Sequence, residues 1–161
     1  MIHKIIPVGP LQCNCSILGD ETSHEAMVID PGDDVEVILQ VLSLHHLKVK
    51  QIVVTHAHID HVGGAMRLKR LTGAPILLNQ RDEALLKMLD TQAAWLGMEP
   101  PESVVVDQDL ADGATVTTGE ISANVLHTPG HTEGSVCLYL PAQQKLIAGD
   151  TLFMGSIGRT D

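Results

Sequence analysis

Short apolar runs alternate with polar turns along the first 30 residues, a pattern that is typical of strands in a sheet. The runs are HKIIPV, NCSIL and AMVID, and they are separated by GPLQC and by the polar stretch GDETSHE. We therefore expect this part of the chain to open the fold with a sheet of antiparallel strands.

The segment after Pro31-Gly32 has the apolar spacing of an amphipathic helix, behind an aspartate that is suited to the N-cap. Its apolar positions in DDVEVILQVLSLHHL are Val35, Ile38, Leu39, Leu42 and Leu47. The segment QIVVTHAHIDH follows, and its continuous apolar residues 52–54 are typical of a strand that is buried on both faces. This strand is expected to end where the polar residues begin.

A second helix is expected from about Val62 to Leu71, ended by Gly73 and Pro75, with PILLN as the next strand. Later in the chain, VVVDQDL, ATVTT, ISANVLHT, SVCLYL and KLIAG predict consecutive strands. Two strand-rich halves with helices outside them indicate stacked sheets between helices. The length of 161 residues fits one α+β domain, residues 1–161.

The charge balance limits the classes of partner. The chain carries 20 acidic and 10 basic residues, a net charge of −10, and such a field repels phosphate backbones. The N-terminus, MIHKIIPVGP, has one lysine and an apolar stretch broken by Pro7 and Gly9, so it resembles neither a signal peptide nor a spanning helix. We expect a cytoplasmic protein that binds neither nucleic acid nor membranes.

The three cysteines do not predict a disulfide framework. Cys13 and Cys15 alternate within one predicted strand, and Cys137 lies in another apolar run. A C-x-C pair can bind metal or respond to redox state, but alternating cysteines in a strand more often pack as small apolar side chains. We interpret them as packing residues.

The string THAHIDH concentrates ligand chemistry directly after the predicted buried strand. If His56, His58 and Asp60 continue in extended geometry, they project to one side, whereas His61 must point elsewhere. One cluster would then serve two neighbouring metals. A solvated loop with no ligand role is the alternative, and three histidines at this spacing beside an aspartate disfavour it. Imidazole and carboxylate without thiolate suit zinc, and equally iron or manganese.

Two further candidate ligands stand far from this string. His131 lies in the turn TPGHT at the end of one predicted strand, and Asp150 follows Gly149 at the end of another. An aspartate can bridge two cations that lie about 3.5–4 Å apart. Asp150 is suited to that role.

The strings THAHIDH, TPGHTEGS, AGD and GRTD resemble the motifs of the metallo-β-lactamase superfamily, and most closely those of its glyoxalase II-like hydrolases. The resemblance runs from the first strand to the last residue. It implies a four-layer αβ/βα sandwich with the metals at one edge between the sheets. The implied ligands are His56, His58 and His131 for the first metal, and Asp60 and His61 for the second, with Asp150 bridging.

The resemblance also implies elements beyond GRTD, where relatives continue into a helix and a strand whose Gly-His-Gly turn completes the second metal. No histidine follows His131 in this sequence. We therefore expect a fold that is C-terminally incomplete, a second site that is one ligand short, and an uncovered sheet edge or face. A second copy of the chain, in a homodimer, would cover such an edge.

The activity implied is hydrolysis of a small thioester such as S-D-lactoylglutathione by hydroxide bound to metal, with Asp60 as the catalytic residue that orients it. Zinc is the expected cofactor, with up to two ions per chain, and iron and manganese are alternatives. Three other functions stay open at this point. They are an iron-dependent persulfide dioxygenase, a lactonase, and a metal-binding fragment without catalytic activity.

Overall fold

Twelve strands and five α-helices make up the computed structural model, which describes residues 1–161. The first sheet contains β1 (Ile2–Val8), β2 (Cys13–Gly19), β3 (Glu25–Ile29), β4 (Lys48–Val53), β5 (Ile76–Leu78) and β6 (Gln108–Asp109). The second sheet contains β7 (Thr115–Thr118), β8 (Ile121–His127), β9 (Val136–Leu140) and β10 (Lys145–Ile147), and a separate hairpin contains β11 (Leu152–Phe153) and β12 (Ser156–Ile157). The helices are α1 (Val35–Leu44), α2 (Ile59–Val62), α3 (Ala65–Thr72), α4 (Glu83–Leu86) and α5 (Leu89–Leu96), and 3₁₀ turns cover Gln80–Asp82 and Pro141–Gln143.

The first sheet is mixed, with strand order β1-β2-β3-β4-β5-β6. The pairs β1–β2 and β2–β3 are antiparallel, which confirms the antiparallel opening, whereas β3 to β6 run parallel. Parallel neighbours need a crossover connection, and α1 supplies it between β3 and β4. The carboxyl ends of β3, β4 and β5 therefore lie at one edge of the sheet, where the polar string after β4 begins.

The second sheet is an antiparallel meander with order β10-β9-β8-β7. Four of the five strands expected in this half form, but the expectation for VVVDQDL is wrong over most of its length, because only Gln108–Asp109 pairs. The Asp107 N–H still donates to the Ile76 carbonyl at 2.8 Å, but before this point the ladder stops because the Ile76 N–H is taken by a side chain. The carboxylate of Asp107 accepts hydrogen bonds at 2.8 Å from the Ile76 backbone N–H and from the Lys69 ammonium.

Helix α1 begins after Asp34 as predicted, but the expected side-chain cap is absent. Asp34 has a left-handed backbone (φ 51°), and its carboxylate accepts a hydrogen bond from the Gly9 backbone N–H at 2.8 Å. The aspartate therefore ties the β1–β2 turn to the start of the helix instead of capping the helix. Leu47, which was counted in the helical pattern, lies beyond the end of the helix at Leu44.

The second expected helix is divided into α2 and α3 at Gly63-Gly64. The Gly64 N–H donates to the Pro31 carbonyl at 2.9 Å, which removes it from the helical hydrogen-bond ladder. This contact joins the first turn of α3 to the segment after β3. Gly73 ends α3 with a left-handed backbone, as the sequence predicted.

Two apolar cores share the first sheet. One lies between this sheet and the helices and contains Ile38, Ile52 and Leu68. The other lies between the two sheets and contains Met27, Val53 and Leu138. Residues 1–161 thus build three of the four expected layers, helices, first sheet and second sheet. None of the helices has the length and apolar character that crossing a bilayer requires.

Ile38→Val is expected to lower the free energy of unfolding by about 1 kcal/mol, because Ile38 is fully buried where α1 meets the first sheet. Denaturant unfolding followed by circular dichroism would measure the change. Leu44→Ala is the control, since it removes more carbon from the same helix but from a side chain that is 74% exposed. A loss at Leu44 as large as the loss at Ile38 would contradict the assignment of this core.

Candidate metal centre

The six side chains predicted as ligands come from four segments that end at one edge of the two sheets. His56 and His58 lie in the loop after β4, and Asp60 and His61 lie in α2. The other two, His131 and Asp150, follow β8 and β10 respectively. The expectation of extended geometry holds for His58 (φ −71°, ψ 144°), but it is wrong for the stretch as a whole, because the chain bends at residues 55–56 and a helix begins at Ile59.

The ligand atoms form two overlapping groups, each within 4.8 Å. One group is His56, His58 and His131, and the other is His56, His61 and Asp150. His58 Nδ1 lies 3.1 Å from His131 Nε2, and Asp150 Oδ2 lies 3.3 Å from both His61 Nε2 and His131 Nε2. Asp60 belongs to neither group, although its Oδ2 lies 3.5 Å from His61 Nε2. His56 is therefore common to both groups.

Hydrogen bonds fix which nitrogen of His56 is free. The Thr55 hydroxyl donates to Asp30 Oδ2 at 2.7 Å, so it accepts from the Nδ1–H of His56 at 3.1 Å. The lone pair is then on His56 Nε2, which is buried and has no hydrogen-bond partner. An unpartnered buried nitrogen is costly unless something satisfies it, and a cation would do so.

His61 and His131 are oriented in the same way. The Nδ1–H of His61 donates to Asp30 Oδ2 at 2.9 Å, and the Nδ1–H of His131 donates to the Arg159 carbonyl at 3.0 Å. Both Nε2 atoms then face the centre. An imidazole whose outer N–H is held by a carboxylate or a carbonyl is the arrangement of metal-ligating histidines. The donor set of the two groups, nitrogen and carboxylate oxygen, therefore fits a metal ion.

The pKa values of the clustered histidines are shifted in opposite directions. Burial, aided by the charges of His61 and His58, lowers the pKa of His56 to about 2, and burial also lowers the pKa of His58. These two imidazoles are thus neutral near pH 7 and offer lone pairs. Burial lowers the pKa of His61 as well, but the charge of Asp30 and hydrogen bonds with Asp150 and Asp30 outweigh it and raise this pKa well above its usual range.

Asp150 stays ionised among these rings. Burial raises its pKa, but the hydrogen bond from His61 and the charges of His61, His56 and His131 prevail and lower it to about 2. The residue before it must be glycine, because Gly149 has φ +52° and a Cβ there would lie 2.5 Å from Thr55 Oγ1. The string AGD therefore lets the turn after β10 pack directly on the loop that carries His56.

Four supporting residues escaped the prediction from sequence: Asp30, Thr55, Asp82 and Gln92. Asp30 had a usable signal, since it follows β3 at the same sheet edge as His56. Gln92 lies on α5, where its Oε1 accepts from the Ile59 N–H at 2.9 Å and its amide donates to the Ala57 carbonyl at 3.3 Å. Neither Asp82 nor Gln92 stands in a motif, so nothing in the sequence marked them.

The cysteines are buried and free, as the sequence indicated. Cys13 comes near the centre, with its Sγ 3.5 Å from His61 Nδ1, but its sulfur is in neither ligand group. Burial raises the pKa of the Cys13 thiol, and the contact with His61 opposes this only in part.

A cavity of about 550 Å³ opens beside the second ligand group. Asp60, His61 and Asp150 form one wall, and the rest is lined by apolar side chains such as Leu11 and Phe153 together with polar ones such as Gln12 and Asn14. The volume is within the range of small-molecule sites. A reacting group in this cavity would contact the carboxylates of Asp60 and Asp150 directly.

The family model of the metallo-beta-lactamase superfamily matches residues 8–161. Hydroxyacylglutathione hydrolase GloC of Haemophilus influenzae is 36% identical over 98% of this chain and 75% of its own length. Two crystal structures are similar throughout. BLEG-1 B3 metallo-beta-lactamase has a TM-score of 0.89 at 34% identity, over 99% of this chain and 77% of that one. TTHA1623 in a di-iron-bound form has a TM-score of 0.87 at 35% identity, over 97% and 76%.

These similarities confirm the fold that the four motifs implied, and they extend over nearly the whole chain. Together with histidines clustered as they are in a metal centre, they support a metallo-hydrolase superfamily assignment. The chain belongs to the metallo-β-lactamase superfamily.

Proposed function

We propose that this chain holds up to two divalent cations, zinc in the first place, and hydrolyses a small thioester such as S-D-lactoylglutathione. The observation that carries the proposal is the pair of overlapping ligand groups, which share the unpartnered Nε2 of His56. His56, His58 and His131 would hold one cation. His61 and Asp150 of the second group would hold the other, together with Asp60, whose Oδ2 lies 3.5 Å from His61 Nε2, and Asp150 would be shared by the two cations. The thioester is favoured by the 36% identical relative that is named for hydroxyacylglutathione hydrolysis.

Bound cations would supply Lewis acidity, which polarises a carbonyl oxygen and lowers the pKa of water to about 7. The chain's own residues orient the reactants. Asp60 lines the cavity at the first turn of α2, where its carboxylate can accept a hydrogen bond from the attacking water. The water oxygen joins the carbonyl carbon, the carbon–sulfur bond breaks, and the sulfur leaves as a thiolate that takes a proton released by the water, which gives a carboxylic acid and a thiol. No covalent bond to the enzyme is needed.

Iron is the alternative metal, because TTHA1623, at 35% identity, was solved in a di-iron-bound form. Iron would also suit the second candidate function, an iron-dependent persulfide dioxygenase. A third reading, a metal-binding chain without catalysis, shares the same ligand groups. Metal identity and turnover together separate the three functions.

The first experiment is elemental analysis of the purified protein, combined with thioester hydrolysis assays without metal and with added zinc, manganese or iron. We expect close to two metal ions per chain and hydrolysis that depends on them. Iron with oxygen uptake on glutathione persulfide, and no thioester cleavage, would favour the dioxygenase. Bound metal with neither reaction would leave the non-catalytic function, and a chain that binds no metal would overturn the proposal.

The homodimer and the cytoplasmic location expected from the sequence remain predictions. Light scattering coupled to size-exclusion chromatography would give the mass in solution, and a homodimer requires twice the 17.3 kDa of one chain.

A further inference from the structure

A buried carboxylate behind the metal centre joins the two loops that carry the three-histidine group. Asp82 is 1% exposed and ends the 3₁₀ turn after β5. Its Oδ2 accepts from the Ala57 N–H at 2.9 Å and from the Thr132 hydroxyl at 2.8 Å. Its Oδ1 accepts from the Gly134 N–H at 2.7 Å. Ala57 lies in a loop of the first sheet, whereas Thr132 and Gly134 lie in a loop of the second sheet.

The groups that donate to Asp82 are close to the predicted ligands along the chain. Ala57 stands between His56 and His58, and Thr132 directly follows His131. The loop after β4 belongs to the first sheet, and the loop between β8 and β9 belongs to the second. One carboxylate therefore fixes both sides of the His56–His58–His131 group, and none of its hydrogen-bond partners is a ligand ring.

The packing around Asp82 allows little adjustment. A Cβ on Gly134 would lie 2.6 Å from the Asp82 backbone nitrogen, so the second loop approaches the turn as closely as a backbone can. The partners of Asp82 are two backbone N–H groups and one hydroxyl, none of which is a cation. Its carboxylate is thus held by neutral donors, and a cation in the neighbouring group would be attracted by its charge.

We propose that Asp82 is a positioning residue that sets the affinity of the three-histidine group for a metal ion. The inference rests on the proposed function, since it presumes that the group binds a cation. Metal affinity follows from how well the ligands are held before the ion arrives, and replacing outer partners of ligands typically weakens binding by about 10- to 100-fold. Asp82 acts on all three ligands at once through the two loops.

The test compares Asp82→Asn with a matched variant, Asp20→Asn. Asp20 is also buried and also joins the two halves of the chain, since its carboxylate accepts from the Thr22 N–H, the Ser23 hydroxyl and the Glu120 N–H. It follows β2, at the end of that strand opposite to Cys13 and the metal centre. Both variants lose a carboxylate that connects the two sheets, but only Asp82→Asn loses one that is bound to the loops carrying the ligands.

Zinc affinity would be measured by competition with a chromophoric chelator, and the visible absorption of the cobalt-substituted protein would report ligand geometry. We expect Asp82→Asn to weaken zinc binding by about 10- to 100-fold and to change the cobalt spectrum. Asp20→Asn should stay within about twofold of the wild type, with an unchanged spectrum, even where it lowers the unfolding temperature. Equal zinc affinity in Asp82→Asn and the wild type would overturn the inference, as would an equal loss in Asp20→Asn.

Thr132→Val serves where Asp82→Asn does not fold, because it removes one of the three hydrogen bonds and keeps the carboxylate. Its zinc affinity should fall by a smaller factor, and an unchanged affinity would overturn the inference. A wild-type chain that binds no zinc, manganese or iron would instead overturn the proposed function, and the inference with it. The two failures are therefore told apart by the wild type alone.

Discussion

Asp60→Asn is expected to lower thioester turnover by about 10²- to 10⁴-fold and to leave the free energy of unfolding close to that of the wild type. The amide has the shape of the carboxylate but lacks its charge and one acceptor oxygen, so it orients the attacking water poorly. Asp60 is only partly buried and makes no hydrogen bond that holds the fold; its nearest charged partner is His61, at 3.5 Å.

The control for this prediction is Asp90→Asn. Asp90 is an aspartate in the first turn of α5, as Asp60 is in the first turn of α2, but it is exposed and belongs neither to a ligand group nor to the lining of the cavity beside them. Values of kcat and KM for a thioester, together with metal content and denaturant unfolding, would be compared across the three proteins. Turnover in Asp60→Asn equal to that of Asp90→Asn would contradict the role given to Asp60.

The identity of the candidate ligands could be predicted because their signal is local. Three histidines and an aspartate within six residues are conspicuous whatever the fold, and a buried strand directly before them places them at a sheet edge. His131 and Asp150 followed because each stands in a short motif at a strand end. The assignment of each ligand to one of two metals came from the family resemblance, because the spacing of residues does not show which metal His131 and Asp150 would share with the string THAHIDH.

What the sequence did not predict depends on contacts between distant segments. The break between α2 and α3 comes from the Gly64 N–H turning to the Pro31 carbonyl, a partner 33 residues away that no helical periodicity encodes. The same holds for Asp82, whose donors lie 25 to 52 residues away along the chain. Hydrophobic periodicity predicts which face of a helix or strand is apolar, but it does not predict which polar atoms of a distant loop will form hydrogen bonds with that element.

The failed strand at VVVDQDL has a comparable cause. Its composition favours a strand, but the ladder positions next to β5 are limited to Gln108–Asp109. Val105 is exposed, and Asp107 of the segment accepts a hydrogen bond from Lys69 of α3. Strand propensity was therefore overridden by tertiary contacts to a helix.

His56→Ala is expected to remove the ion of the first group, because the single lone pair of His56 Nε2 is assigned to the cation held with His58 and His131. His58→Ala should lose only the ion of the first group, and His61→Ala only the ion of the second, so each would retain about one ion per chain. Elemental analysis after dialysis against buffer that contains zinc would give the three stoichiometries. The expected losses follow from which side chain is assigned to which cation, and they do not depend on which metal binds.

The control for this series is His24→Ala, which removes an exposed histidine at the β2–β3 turn and should leave the stoichiometry unchanged. Circular dichroism would establish that His56→Ala is folded, since a 1% exposed ring is removed beside Thr55. If His56→Ala still held two ions, the place of His56 in the first group would be contradicted. If all three variants lost both ions, the two cations would be bound as one cooperative unit, and the separate groups would have to be merged into a single site that requires His56, His58 and His61 together.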